Sequence, residues 1–243
     1  RAGEILKRTM ITMENDQRAM EKRMRESGNA VRTLTMGVTM TIGEYAVTGP
    51  LARYLNLHPD VNVCLRFGNT DRLLEALRAG EMDLALSEGY IRSEEFDTEL
   101  FRRERYIPVC AAGHALPAGK QKLKDLLGER LILREKGSGS RKILERNLAA
   151  RNLKISDFIH YAEVENIHTI VSLLVRDCGI AFLYEAAVEQ EIRQGLLKEI
   201  RLDDFSMDHE FLFLWNKGSV FSSELKKLCE EWIQMDKDAS RGR

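Results

Sequence analysis

Short hydroxyl and amide side chains recur where a predicted strand gives way to a predicted helix. Four turns of this kind carry Thr39, Thr41, Asn69, Thr70, Ser138, Ser140 and Asn166. Helix N-termini expose unpaired N–H groups and the positive end of the helix dipole, so such turns favour anions. In an open parallel sheet they lie at the carboxyl edge of the strands, where ligands bind. Because the same side chains also suit helix capping, binding and capping both stay open at each position.

Charged side chains border two of these turns. Arg134 and Arg141 flank the third turn and could hold a carboxylate, sulfate or phosphate, or could form a surface or interdomain ion pair. Glu165 precedes the fourth turn, where it could pair with Arg141 or bind a ligand amine. Together with Glu88, it argues against a purely anion-selective pocket.

The sequence carries no pattern typical of catalysis or metal binding. The segment GSGSR at 137–141 matches neither a dinucleotide-binding loop, nor a Walker loop, nor a nucleophile elbow. The five histidines lack metal-ligand spacing, and the four cysteines form no CxxC pair. We therefore expect no enzyme, no metal and no cofactor, and free cysteines in a reducing cytoplasm.

Composition excludes several other classes. The chain has 243 residues, of which 37 are basic and 38 acidic, and 44% are hydrophobic. This balance supports a folded core and excludes both wholesale disorder and a globally basic nucleic-acid binder. No apolar run is long enough to span a bilayer, and the polar start lacks a signal region, so we expect a cytoplasmic protein without a membrane partner. Since the chain begins with Arg1 rather than Met, we expect a fragment.

The order of predicted elements indicates two similar α/β halves. Strands alternate with helices from residue 33 onward, which is typical of a parallel sheet. The predicted first half comprises residues 33–112 together with 208–236, because the last strand and helix must return to cover its sheet edge. The second half comprises 118–207.

Residues 1–28 are predicted to form a separate polar helix. Its apolar positions are spaced 4-3-4-3-4, a heptad seam with one polar member: Leu6, Met10, Met13, Gln17, Met20 and Met24. A stripe this narrow favours pairing with another helix, so we expect a dimerisation helix. The alternative is that the helix packs on its own domain.

Six blocks, in order, resemble LysR-type transcriptional regulators without their N-terminal winged helix-turn-helix. RAGEIL at 1–6 resembles the start of the family's linker helix, and TLTMG at 33–37 its first effector-domain strand. HPDV at 58–61 is similar to the third block, and GNT at 68–70 together with LRAGEMDLAL at 77–86 is similar to the fourth. LREKGSGSR at 133–141 and GIAFL at 179–183 are similar to the last two, although Asp177 and Ser140 replace the usual glycine and threonine.

The resemblance implies two Rossmann-like halves, similar to type 2 periplasmic binding proteins, with an effector bound in the cleft between them. It implies that the hydroxyl and amide side chains of the four turns contact this effector, with Arg134, Arg141 and Glu165 as further candidates. It also implies a homodimer or homotetramer that reaches DNA through a domain outside this chain. Two alternatives remain: a transporter's solute-binding protein, which would carry no heptad helix, and a cleft enzyme, which would need a catalytic set.

Overall fold

The computed structural model describes residues 2–26, 32–88, 91, 94–116 and 121–241. The chain divides into two compact units: unit 1 comprises Arg1–Arg102 and Glu210–Arg243, and unit 2 comprises Arg103–His209. The division falls between Arg102 and Arg103, inside the continuous strand Phe96–Ala111, whereas the predicted boundary is residue 112. No turn interrupts the strand between Arg102 and Arg103. The predicted helix end at residue 28 and domain start at residue 118 lie outside the described residues.

The elements alternate between strands and helices in both units. Unit 1 begins with α1 (Ala2–Glu26), β1 (Arg32–Val38), α2 (Met40–Tyr45), α3 (Thr48–Leu57), β2 (Val61–Phe67), α4 (Thr70–Arg78), β3 (Leu84–Glu88) and β4 (Phe96–Ala111). Unit 2 continues with β5 (Arg130–Leu133), α5 (Gly139–Ala149), β6 (His160–Glu163), α6 (Ile167–Val175), β7 (Ile180–Tyr184), α7 (Glu189–Arg193) and β8 (Leu197–Glu199). The chain then returns to unit 1 with β9 (Asp208–Asn216) and α8 (Ser222–Arg241).

Both units arrange their strands by the same plan. In unit 1 the strand order is β2-β1-β3-β9, with β1 parallel to both neighbours and β9 antiparallel to β3. In unit 2 the order is β6-β5-β7-β4, with β5 parallel to both neighbours and β4 antiparallel to β7. β8 pairs with β4 as an antiparallel addition. The predicted α/β class with two Rossmann-like halves is confirmed.

Each unit has an apolar core that fixes its helices against the sheet. In unit 1 the buried leucines of α4 pack on Phe96 and Leu214. In unit 2 the ring of Tyr106 lies 5.1 Å from that of Tyr184, and the ring of Phe182 lies 5.2 Å from that of Phe205. Burying a large apolar side chain stabilises the fold by about 1.5–3 kcal/mol, so these contacts hold the strand ends in place.

One predicted helix is two. The sequence predicts a single helix that begins after Thr39 and Thr41 and runs to Leu57, with Pro50 either opening its main part or kinking it. In the structure this helix is interrupted at Ala46 and Val47, which separate α2 from α3. Pro50 lies in the first turn of α3, where its missing N–H costs no helical hydrogen bond. The proline therefore belongs to the start of the second helix and does not kink one long helix.

α1 packs on unit 1 through its polar face and leaves its apolar seam in solvent. Thr12 and Asn15 are buried, each 8% exposed, whereas Leu6, Met13 and Met24 are more than 60% exposed. The alternative prediction, packing on its own domain, therefore applies to the polar face of the helix and not to the seam. Among the described residues, no helix has both the length and the apolar character needed to cross a membrane.

Candidate functional site

In unit 1, the polar side chains predicted from the sequence gather at the carboxyl ends of β1, β2 and β3. Thr39 follows β1, Asn69 and Thr70 follow β2, and Glu88 is the last residue of β3. Because these three strands are parallel, their carboxyl ends lie at one edge of the sheet. The edge therefore brings together side chains that are up to 49 positions apart in the sequence.

A buried carboxylate lies at the centre of this edge. Glu88 is 1% exposed, and the hydroxyl of Thr39 donates a hydrogen bond to its Oε2. A buried carboxyl group needs hydrogen-bond partners, and the side chain of Thr39 makes no cap at the N-terminus of α2, so Thr39 serves Glu88. This hydroxyl is committed to a residue of its own unit.

The other two threonines that the sequence predicts for the site in unit 1, Thr41 and Thr70, are also buried. Oγ1 of Thr70 lies 3.0 Å from Oγ of Ser87 and donates to the backbone oxygen of Glu88 at 3.0 Å. Thr41 lies in the first turn of α2 and is 2% exposed. Sequence reasoning did not identify Ser87. Its signal was a polar pair, Ser87 and Glu88, at the end of an otherwise apolar strand.

The two asparagines are helix caps in equivalent places. The side chain of Asn69 accepts a hydrogen bond from the backbone N–H of Arg72 at 3.0 Å, which caps α4. The side chain of Asn166 accepts one from the backbone N–H of Thr169 at 2.9 Å, which caps α6. The capping alternative is thus realised at both asparagines.

In unit 2, a pair of buried serines begins α5. The Oγ atoms of Ser138 and Ser140 lie 2.9 Å apart, and both residues are 3% exposed or less. One hydroxyl donates to the other, so the second keeps a hydrogen available for a ligand. The turn is fixed by Tyr106, whose hydroxyl donates to the backbone oxygen of Ser140 at 3.1 Å. Tyr106 gave no sequence signal, because its partner is 34 positions away.

The start of α5 also offers backbone donors. The first three amides of a helix have no carbonyl one turn earlier to accept their hydrogens. Ser138 occupies the N-cap position, yet within the described residues its side chain caps none of these amides. Gly137 has a φ of +94°, which lets the chain turn sharply into the helix. The arrangement presents N–H donors beside two hydroxyls.

Arg134 is a buried guanidinium with spare hydrogens. It is 4% exposed, and its Nε and Nη2 donate to the two carboxylate oxygens of Glu135 at 2.8 and 3.0 Å. Across the described part of the chain, its Nη1 has no hydrogen-bond partner. An unsatisfied buried donor is costly, which makes this nitrogen a candidate for binding a ligand oxygen.

Arg141 has a structural role. Its Nη1 donates to the backbone oxygen of Arg134 at 3.0 Å and to the carboxylate of Glu163, and its Nε donates to Glu145 at 2.9 Å. Burial lowers its pKa, but the hydrogen bonds and charges of Glu163 and Glu145 outweigh burial and raise it. The ion-pair alternative is therefore the one observed, and the carboxylates that pair with Arg141 are those of Glu145 and Glu163 rather than that of Glu165.

Some of the predicted site residues thus contact one another within each unit. In unit 1, Thr39 and Thr70 are both hydrogen-bonded to Glu88, and in unit 2 the guanidinium of Arg141 donates to the backbone oxygen of Arg134. That the turns of the two halves face one another across a cleft stays a prediction. Among the residues that the structure describes, no three His, Cys, Asp or Glu side chains are placed to hold a metal ion.

Comparison with known proteins assigns this architecture to a family. Residues 27–234 match the family model of the LysR substrate binding domain. Over 182 residues the chain is 24% identical to the HTH-type transcriptional regulator CysL of Bacillus subtilis (strain 168), an alignment covering 74% of this chain and 60% of that protein. The chain therefore spans about 60% of the length of the curated relatives it matches.

Solved regulatory domains share the fold. The Synechocystis PCC6803 CcmR regulatory domain in complex with 2-PG has a TM-score of 0.70 and 18% identity, covering 81% of this chain and 95% of that one. The effector binding domain of QuiR in complex with shikimate has a TM-score of 0.71 and 18% identity, covering 86% and 98%. From the family match over 27–234, the chain belongs to the LysR substrate-binding domain family, the effector-binding regulatory part of LysR-type transcriptional regulators.

Proposed function

We propose that this chain senses a small anionic molecule and so regulates transcription in the cytoplasm, with DNA bound by a part of the protein outside this chain. The observation that supports the proposal is the buried Arg134, whose Nη1 has no partner among the described residues and which precedes the two buried serines at the start of α5 by four and six positions. Solved domains of the same fold with 2-PG and with shikimate support a small-molecule ligand.

Hydrogen-bond donors, rather than net charge, would select the ligand. Arg134 is paired with Glu135, and Arg141 with Glu145 and Glu163, so the two positive charges are balanced within unit 2. What remains are hydrogen-bond donors: Nη1 of Arg134, the first backbone N–H groups of α5 and one hydroxyl of the serine pair. Carboxylate, sulfate and phosphate oxygens accept several such hydrogens at once, and guanidinium bonds to them are strong.

Isothermal titration with acetate, sulfate, sulfite, inorganic phosphate and shikimate tests the proposal. The Arg134→Met variant should lose about ten- to a hundredfold in affinity for whichever anion binds wild type, because one charge-assisted hydrogen bond contributes about 1.5–3 kcal/mol. Arg176→Met is the matched control, since Arg176 lies at the exposed end of α6 and bonds the backbone oxygen of Ser172. Equal affinity in the wild type and Arg134→Met would contradict the assignment of Arg134.

We also propose that the seam of α1 pairs with a second copy of the chain, in a homodimer or homotetramer. Its apolar members are exposed although the opposite face of the helix is packed on unit 1. The seam is therefore exposed on a helix that is already docked through its other face. Isolated surface methionines need no explanation, but a continuous row of them at heptad spacing fits a partner helix.

Sedimentation at micromolar concentration tests this pairing. The wild type should sediment as a dimer or larger species, and the double variant Met13→Gln/Met20→Gln should shift toward monomer, because it replaces apolar seam contacts by polar side chains. Arg25→Gln, a change on the same helix outside the seam, is the control. A wild type that stays monomeric across this range would contradict the proposal.

A further inference from the structure

α1 contacts unit 1 at the C-terminus of α4. The side-chain amide of Asn15 donates to the backbone oxygen of Arg78 at 2.9 Å, and Arg18 donates to that of Ala79 at 3.2 Å. The last carbonyls of a helix have no partner within it and carry the negative end of the helix dipole. The polar face of α1 thus supplies donors, one of them cationic, where α4 needs them.

A second set of bonds ties α1 to the loop between β9 and α8. The two carboxylate oxygens of Asp16 accept hydrogen bonds from the hydroxyl of Ser219 at 2.5 Å and from the backbone N–H of Val220 at 2.9 Å. Just before this loop, the side chain of Asn216 at the end of β9 donates to the backbone oxygen of Leu77 at 2.7 Å. α1, the end of α4 and this loop therefore form one hydrogen-bonded joint, which we call the α1 joint.

The α1 joint is close-fitting at one point. Gly80 has a φ of +68°, and a Cβ added to it would lie 2.6 Å from Oδ1 of Asn15. A side chain here would strain the backbone and push α1 away. Glycine lets the backbone at Gly80 approach α1 closely enough for the side chain of Asn15 to reach the backbone oxygen of Arg78.

The α1 joint is also polar enough to open. Among the described side chains of α1, Thr12 and Asn15 are buried most, and the joint borders a half-open pocket of about 50 Å³ lined by Asp16 and Ser219 together with apolar side chains such as Met82 and Leu225. Such a space admits water, and a hydrogen bond between protein groups contributes only about 0.5–1.5 kcal/mol over its replacement by water. Opening the α1 joint therefore exchanges its hydrogen bonds for hydrogen bonds to water.

The other end of α4 lies at the carboxyl edge of unit 1. There Asn69 caps the helix, and Thr70 is bonded to the backbone oxygen of Glu88. α4 has nine residues, so about 13 Å of helix separates this edge from the α1 joint. A short, well-packed helix moves as one body, so a shift at one end reaches the other.

We propose that the α1 joint is a releasable latch that sets the direction of α1, and that α4 carries a change at the carboxyl edge of unit 1 to this latch. The proposal rests on the proposed function only for the cause of that change, a bound ligand. Its two states are a closed latch, with α1 held on unit 1, and an open latch, with α1 free to take another direction. Any ligand that shifts α4 would thereby favour one state.

Hydrogen exchange of the ligand-free chain tests the latch. Asn15→Ala removes the bond to Arg78 and leaves the Asp16 carboxylate in place. If the latch opens as a unit, the Val220 amide should exchange about tenfold faster in this variant. Glu21→Ala, on the exposed side of α1, should match the wild type, and unchanged exchange in unit 2 shows that the variants are folded. If the Val220 amide exchanges at the same rate in Asn15→Ala as in the wild type, the proposal of a latch is overturned.

The role of α4 is tested by a matched pair of caps. Asn69→Ala removes the cap of α4, and Asn166→Ala removes the equivalent cap of α6 in unit 2. The first should speed exchange at residues 216–221 by about two- to tenfold, since a lost cap loosens its helix by about this factor, and the second should not. Equal effects of the two variants would overturn transmission through α4. Neither measurement contains an anion, so a failure of the proposed function would be seen separately, in the titrations.

Discussion

The carboxyl edges of the two units follow one strand plan and have opposite chemistry. In unit 1 the turn after the central strand delivers Thr39 to a buried carboxylate, Glu88. In unit 2 the corresponding turn delivers Ser138 and Ser140, which bond each other, and the strand before this turn is followed directly by the buried Arg134. The hydroxyl of Thr39 is therefore committed within its own unit, whereas Nη1 of Arg134 in unit 2 has no hydrogen-bond partner among the described residues.

The difference shows that similar turns at similar positions do not predict similar binding. A hydroxyl at the start of a helix is available to a ligand only if no buried acceptor of its own unit already takes its hydrogen bond. Glu88 is such an acceptor, because a carboxylate that is 1% exposed must keep its donors. We therefore expect anion recognition to depend on unit 2, and substitutions in unit 1 to affect stability first.

The largest effect is expected from Thr39→Val. This change keeps the shape of the side chain and removes a donor from the buried Glu88 carboxylate, which should lower the free energy of unfolding by about 1–3 kcal/mol. Thr39→Ser keeps the hydroxyl and should stay within about 1 kcal/mol of the wild type. Urea unfolding measures both variants, and titration with the anion that binds wild type should give unchanged affinity. A loss of affinity at unchanged stability would show that Thr39 binds ligand.

A smaller effect, an increase in anion affinity, is expected from Glu135→Gln. The Glu135 carboxylate occupies two of the three guanidinium nitrogens of Arg134 and repels an incoming anion. Removing its charge while keeping an acceptor oxygen should raise anion affinity by about three- to tenfold at low salt, with the gain shrinking as salt screens the charge. Glu230→Gln, on the exposed side of α8 in unit 1, is the control. Weaker binding in Glu135→Gln would mean that the carboxylate orients Arg134 for the ligand.

The smallest effect is expected from Ser138→Ala. The change removes one hydroxyl of the serine pair and should weaken anion binding by about two- to fivefold, the contribution of one neutral hydrogen bond. Because the Ser138 side chain does not cap α5 among the described residues, the melting temperature should stay close to that of the wild type. Thermal unfolding with and without the anion checks both. A lower melting temperature with full ligand response would indicate a purely structural serine pair.

The features predicted correctly from the sequence are those set by neighbouring residues. The alternation of side chains at Val61–Phe67 and the asparagines before α4 and α6 are local patterns, and the structure has a strand at the first and helix caps, one of the two alternatives, at both asparagines. The features missed depend on contacts between distant positions. No local pattern showed that Thr39 would bond Glu88, or that Arg141 would pair with Glu163.

The helix α1 shows the same limit. Its seam was readable because heptad spacing is local, whereas its opposite face looked like an ordinary solvated surface. Asn15 and Asp16 gain their partners only from residues 63 and more than 200 positions away. A polar docking face has no periodic apolar signal, so sequence patterns alone assign it to solvent.

The one polar member of the seam has a consequence for how two copies could align. In the single chain Gln17 donates its side-chain amide to Glu21 at 3.0 Å, one turn along the same helix. The flexible methionines around it tolerate many alignments of a partner helix equally well. A buried amide at a seam position tolerates few, because it must meet another polar group or lose its hydrogen bonds. Gln17 is therefore the residue that would fix the stagger and polarity of the paired helices, at some cost in their stability.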